Sequence, residues 1–336
     1  MAAPGLRRFV LLFAAGALAG VLGMTLLPHD KYLRYQALND GTAPTAYWIY
    51  ERIHDDPAPI DVAFIGTSRT GLSVHTRRLE DDLQRLGIHA KAANLHIVKN
   101  GVNMQYVVAK ELLESRPVRL LVVEIIEWED RKPHPDFIYL ADPIDILEAP
   151  LLLNLNYFSD LARLPGRQVD LFLQTQLQRH GLRKPDFVPP PYEGSNLDHA
   201  EYIQTLDGVR HPRDERHTAE QMAALRAAQD RAITPALLPA ALEQIEFRLP
   251  RTYLDRILEL ARAHGTGVVF LYTPRFGGPP EPPPYARLAG RAELINPWPR
   301  LQDVGLWGDV THLNWDGAQR LTDFVAAALA RRPELR

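Results

Sequence analysis

The run VRLLVVEII, residues 118–126, constrains the fold most. Its aliphatic side chains fall on both parities of a two-residue repeat, so a strand built from it has two faces to bury. That is the habit of a parallel strand inside a sheet covered on both sides. IDVAFIG (60–66) and TGVVFLYTP (266–274) have the same texture. Between and after them come segments of helical spacing. TRRLEDDLQRLG gathers Leu79, Leu83 and Leu86 on one face and stops at Gly87. VNMQYVVAKELLESRP gathers Met104, Val107, Val108 and Leu112 before Pro117. RTYLDRILELARAHG gathers Leu254, Ile257, Leu258 and Ala261, and WDGAQRLTDFVAAALARR reads as a last helix. HAKAANLHIV (89–98) and AELINPW (292–298) supply two further strands. Strands alternating with helices at this spacing predict an α/β domain with a parallel sheet and right-handed crossovers. It occupies residues 60–128 and 250–336.

The rhythm breaks between 129 and 249, which reads as a mostly helical insertion. It holds ILEAPLLLNLNYFSDLARL and VDLFLQTQLQRHG as separate helical segments, then the proline-rich PDFVPPPYEG as a linker. Before the α/β domain, residues 29–59 form a connecting segment with one short helix near 47–53.

At the N-terminus, Arg7-Arg8 precede nineteen residues without a charge, 9–27. At 1.5 Å per residue such a helix crosses a hydrocarbon core of ~30 Å. Residues 1–28 are therefore read as a membrane anchor. A cleaved signal peptide is the alternative, because Ala17-Leu18-Ala19 is an A-x-A site, and a buried core helix is a third. The arginines favour a cytoplasmic N-terminus, with the bulk of the chain periplasmic on a single-pass inner-membrane anchor. Charge is mixed and sums to -3, with no basic stripe, so no nucleic-acid partner is expected. The absence of cysteine excludes disulfides, thiolate zinc sites and a cysteine nucleophile.

In open α/β sheets, ligands bind beyond the carboxyl ends of the strands. Ser68, in FIGTSRTG, stands two residues past the first strand at the head of a helix. The bland reading is that Thr67 and Ser68 only cap that helix. The usual G-x-S-x-G elbow is absent, since Thr70 stands where its second glycine belongs. Near the other end, GDVTHLNWDG places Asp309 and His312 three apart before the last helix, with Asn314 as its N-cap. A histidine there is a positioned base, and Asp309 is placed to fix its tautomer. The bland reading is a polar capping loop.

Together, the serine after the first strand and the C-terminal Asp-x-x-His resemble the SGNH (GDSL-like) hydrolase superfamily. The resemblance covers roughly residues 60–127 and 250–330. It implies a flavodoxin-like three-layer sandwich and a Ser68–His312–Asp309 triad that needs no cofactor or metal. The family's second block is matched by NLHIVKNG, which implies Gly101, or Asn100 beside it, as an oxyanion donor with the Ser68 N–H. The family's third block supplies an asparagine. Here the third strand instead leads into Glu124, Glu127, Glu129 and Asp130. Arg69 can offset that negative charge; otherwise it reads as a surface salt bridge.

The layout of anchor, α/β domain and helical insertion resembles exported proteins that work beside membrane-bound O-acyltransferases. That resemblance implies acyl transfer or ester hydrolysis on a cell-envelope polysaccharide. A non-catalytic tethered accessory or carbohydrate-binding partner is the alternative. Three smaller readings stand beside these. His211 and His217 are considered as metal ligands against a solvated loop. The third-strand carboxylates are considered as a glycosidase pair. Trp298 and Trp307 are considered as a sugar-lining surface against core packing.

Overall fold

A computed structural model describes residues 4–38, 46–180, 202–204, 210–232 and 236–336. Its centre is a five-stranded, all-parallel sheet of β1 (Val62–Ile65), β2 (Ala92–Asn94), β3 (Leu120–Ile125), β4 (Gly267–Tyr272) and β5 (Glu293–Ile295). The strand order is β2-β1-β3-β4-β5, one of the two common doubly wound orders. Val62 pairs with both Ala92 and Leu120, Ile125 with Tyr272, and Leu271 with Ile295.

Helices cover both faces, and the pleat decides which residues meet which helix. Ala63, Ile65, Leu121, Val123 and Phe270 face one core. It is closed by α4 (Val102–Ser115) and α6 (Arg248–Ala263), through Met104, Val108, Leu112, Leu254 and Ile257. Val62, Phe64, Leu120, Val122 and Leu271 face the other. There α3 (Thr76–Arg85) and α7 (Trp315–Leu329) bring Leu79, Leu83, Leu321 and Val325. The α/β architecture expected from the alternation is thus present, in three layers. HAKAANLHIV yields only the three-residue β2.

Between β1 and α3 lies a short helix, α2 (Ser68–Ser73), whose N-cap is Thr67. At the N-terminus α1 (Pro4–Thr25) contains residues 7–25, a stretch long and apolar enough to cross a membrane. It is scarcely buried, so the core-helix reading does not hold. The connecting segment carries the helices Tyr32–Gln36 and Ala46–His54.

The insertion differs in detail from its sequence reading. ILEAPLLLNLNYFSDLARL is not one helix. A short helix, Pro143–Leu147, ends before Pro150, and a turn occupies 150–156. α5 (Tyr157–Arg179) then runs through Pro165 and joins the two segments read as separate. Pro165 removes one backbone hydrogen bond. The stripe Asp160, Leu164, Gln168, Leu171 and Thr175 is buried on both sides of it and holds the halves in line. Tyr202–Gln204 and Arg210–Pro212 form an antiparallel ladder, and Ala219–Ala232 is helical. The proline-rich stretch 185–194, read as a linker, lies outside the described residues.

One cluster ties the connecting segment to the domain. Asp142 accepts from Arg34 Nη1 (2.8 Å) and Lys110 Nζ (3.1 Å), with Lys31 Nζ at 3.8 Å. Burial works against its charge, but the cations outweigh burial and hold the carboxyl at about 2. A carboxyl with a depressed value stabilises the fold above its unfolded value and loses that contribution as pH falls through the folded one. About 2 kcal/mol of stability should therefore disappear between pH ~4 and ~2. Denaturant titrations should show that acid limb in the wild type and a shallower one in Asp142→Asn.

Candidate active site

Two remote pieces of chain meet at the carboxyl edge of the sheet. β1 delivers Gly66 and Thr67 to the start of α2. A Cβ at position 66 would lie 2.3 Å from Thr70 Oγ1 and 2.8 Å from Glu124 Cβ, so only glycine fits this turn. Thr67 Oγ1 accepts the Arg69 N–H (3.2 Å) and does the capping alone. The Ser68 hydroxyl is left for another partner, so the reading of both residues as caps does not hold. α7 packs against α2 and α3. Thr322 Oγ1 accepts the His75 N–H (3.0 Å) and donates to the Ser73 carbonyl. That packing brings the loop before α7 over Ser68.

Ser68 Oγ and His312 Nε2 are 2.9 Å apart. His312 Nδ1 is 2.7 Å from Asp309 Oδ2. Asp309 Oδ1 accepts the Thr311 N–H (2.6 Å), the Thr311 hydroxyl (2.9 Å) and the His312 N–H (2.9 Å). Burial pushes the Asp309 carboxyl up, but the bonds from His312 and Thr311 prevail and hold it below the usual carboxylate range. An ionised carboxylate requires the proton on Nδ1. That leaves Nε2 as an acceptor facing the serine hydroxyl. A serine, a base and its orienting acid are therefore in line.

The loop holding His312 is fixed from several sides. Asn314 Oδ1 accepts the Gly317 N–H and caps α7, while its Nδ2 donates to Gly305 O (2.8 Å) and Glu215 O (3.2 Å). The Trp315 N–H donates to Arg213 O (2.7 Å), and Arg213 Nη1 reaches Leu72 O at the end of α2. His217 Nε2 lies 2.7 Å from Gly308 O, one residue before Asp309. His217 is thus a strut, half-buried in a loop whose residues 214–216 are exposed. The side chain of His211 lies outside the described residues, and among the described residues no cluster of His, Asp and Glu suits a metal.

Glu124, at the end of β3, and Glu127 and Glu129 after it are engaged, not free. Glu124 is buried. Its Oε2 accepts the Thr67 N–H and its Oε1 the Thr273 hydroxyl, both at 2.6 Å. Glu124 therefore clasps the turn that carries Ser68 to the end of β4. Arg69 corrects its surface reading, for it is only 5% exposed. Its Nη1 donates to Glu127 Oε2 (2.8 Å) and Thr273 O (2.9 Å), and its guanidinium lies 4.9 Å from the Trp128 ring centroid. Glu129 is held by Arg251. Among the described residues, Glu127 and Glu129 face arginines, not each other across a gap. Glu127 and Trp128 border a cleft of about 860 Å³, whose walls include Phe247, Arg251 and Arg287.

Gly101 caps α4. A Cβ there would lie 2.5 Å from His134 Cβ, so close packing alone demands glycine. His134 clamps this loop. Its Nε2 donates to Val98 O (2.8 Å), its Nδ1 accepts the Asp136 N–H, and its own N–H donates to Asn103 Oδ1 (3.0 Å). Burial lowers the His134 pKa, which suits a neutral ring in this role. Between these anchors Lys99 adopts φ +70°, a costly conformation for a side-chain-bearing residue. Asn100 borders a narrow cleft with Glu124 and Trp128. Trp307 is core: it is 1% exposed and donates to Leu301 O. Trp298 is half-buried and donates to Gly278 O.

In comparison with known proteins, no family model matches the chain, and no curated protein is significantly similar to it.

Proposed function

We propose that the protein is a serine-dependent acyl-transfer enzyme, tethered by α1 and working on an exported or cell-envelope polysaccharide. The observation that carries the chemistry is the unbroken chain from Ser68 Oγ through His312 to Asp309, at 2.9 and 2.7 Å. Ser68 Oγ attacks an ester carbonyl while His312 Nε2 takes its proton. The tetrahedral oxyanion is met by backbone N–H groups at Ser68 and Gly101. The Thr67 and Arg69 N–H groups are already bonded, which leaves the Ser68 N–H available in that turn. Collapse breaks the ester bond, and His312 returns the proton to the leaving alcohol. Water, or a sugar hydroxyl, then attacks the acyl-serine, gives its proton to His312, and Ser68 is restored. Arg69 balances Glu127 beside this centre. The polysaccharide substrate, the periplasmic setting and a membrane-bound O-acyltransferase partner come from the resemblance to the SGNH superfamily and its membrane-tethered members.

One observation favours a second reading, a non-catalytic tethered partner. The segment after β3 holds glutamates where an oxyanion asparagine is expected. A fluorophosphonate probe separates the two. On the full-length chain in detergent it should attach once, at Ser68, and Asp309→Asn should slow capture by up to the order of 10⁴-fold. Absence of capture, with glycan or acyltransferase binding intact, would establish the accessory instead.

A further inference from the structure

The turn between the short helix Pro143–Leu147 and α5 is inside out for a water-facing loop. Leu151, Leu152 and Leu155 are 51%, 51% and 79% exposed, and Phe158 is 71% exposed, whereas Asn154 between them is buried. No charged residue occurs from 149 to 159. The turn is built to hold this display. The Tyr157 hydroxyl donates to Leu147 O (3.1 Å), Asn154 Oδ1 accepts the Asn156 N–H, and Leu153 is held at φ +59°. Exposed apolar side chains on a shaped turn mark a surface that meets an apolar phase, either a bilayer or the apolar face of a protein partner.

The position of α1 identifies that phase. Gln168 Nε2 donates to Thr25 O (3.2 Å), and the Asp30 N–H donates to Thr175 Oγ1 (3.0 Å). From Thr25 to Asp30 the chain therefore travels along α5 toward its C-terminus. The span precedes Thr25 and packs on α5, so it leaves past the N-terminal half of that helix. Phe158 lies ten residues before Gln168, roughly 15 Å along the axis at 1.5 Å per residue. The leucine turn thus stands beside the departing span.

We infer that the turn at 150–158 dips into the outer part of the bilayer as a second, non-spanning contact. It would fix the tilt of the α/β domain over the lipid surface, where α1 alone gives a swivel. The inference rests on α1 being the membrane span.

The chain has no cysteine, so single-cysteine variants carry one label each. Leu152→Cys and Phe158→Cys, labelled with the environment-sensitive dye NBD in the full-length protein, are reconstituted into phosphatidylethanolamine/phosphatidylglycerol vesicles. Leu18→Cys reports the span and Gln302→Cys an exposed loop. Labels at 152 and 158 should brighten several-fold, shift to the blue and be quenched by nitroxide lipids, as at 18 and unlike 302. Quenching at 18 with 152 and 158 in water overturns the dipping turn, leaves the anchor, and points to a protein partner for the leucines. Failure at all three positions overturns the anchor and the inference with it.

Discussion

Ser68→Ala should lower ester turnover by on the order of 10⁴-fold or more while leaving thermal unfolding unchanged. The hydroxyl is the only group removed. Thr67 caps α2, so no backbone bond depends on it. Members of a nucleophile–base pair act as one unit, so His312→Ala should cost about as much, and the double variant little more than either. Steady-state hydrolysis of a short acyl ester measures all three. Turnover that survives Ser68→Ala would remove the nucleophile and the mechanism together. Turnover lost in the single variants but falling multiplicatively in the double one would show the two residues acting separately.

Glu124→Ala should have the largest effect among residues outside the Ser68–His312–Asp309 chain. Its carboxyl binds Thr67 N–H and Thr273 Oγ1 inside the protein at 2.6 Å each. Truncation leaves a buried N–H and a hydroxyl unpaired and opens a small cavity, which together cost about 2–4 kcal/mol. The turn carrying Ser68 then loses its clasp. A displacement of about 1 Å at a reacting atom costs on the order of 10²-fold, so kcat should drop while KM moves little. Glu124→Gln should recover part of the stability, because its amide oxygen still accepts one bond while its amide nitrogen faces the other donor. Denaturant unfolding and initial rates test both. A stable, fully active Glu124→Ala would mean that Gly66 and Thr67 hold the turn unaided.

What could be read from residue order has a physical pattern. The helix faces of Leu79 and Leu83, and of Leu254 and Ile257, follow from spacing alone, because amphipathic burial is periodic. Ser68, Asp309 and His312 were legible because each sits at a boundary of an element, and boundaries have local signatures. Glu124, His134 and His217 were not, since each works through a partner tens of residues away or more and has no period. That Arg69 offsets the carboxylates was one of two readings, but its burial was not legible, because its partners, Glu127 and Thr273, follow two different strands. The helix α5 was divided at Pro165 because local propensity sees the missing N–H and not the buried stripe that spans it.

The bonds from Arg213, Glu215 and His217 to the histidine-bearing loop carry a consequence for how the molecule is partitioned. Residues 129–249 interrupt the sheet-forming halves in the gene, which invites treating them as a detachable accessory. Mechanically they are not. Excision would strip Phe137, Ile138, Leu140 and Leu164 from one core and Met222 from the other, and it would take away the props under Gly308 and Trp315, leaving the imidazole of His312 adrift.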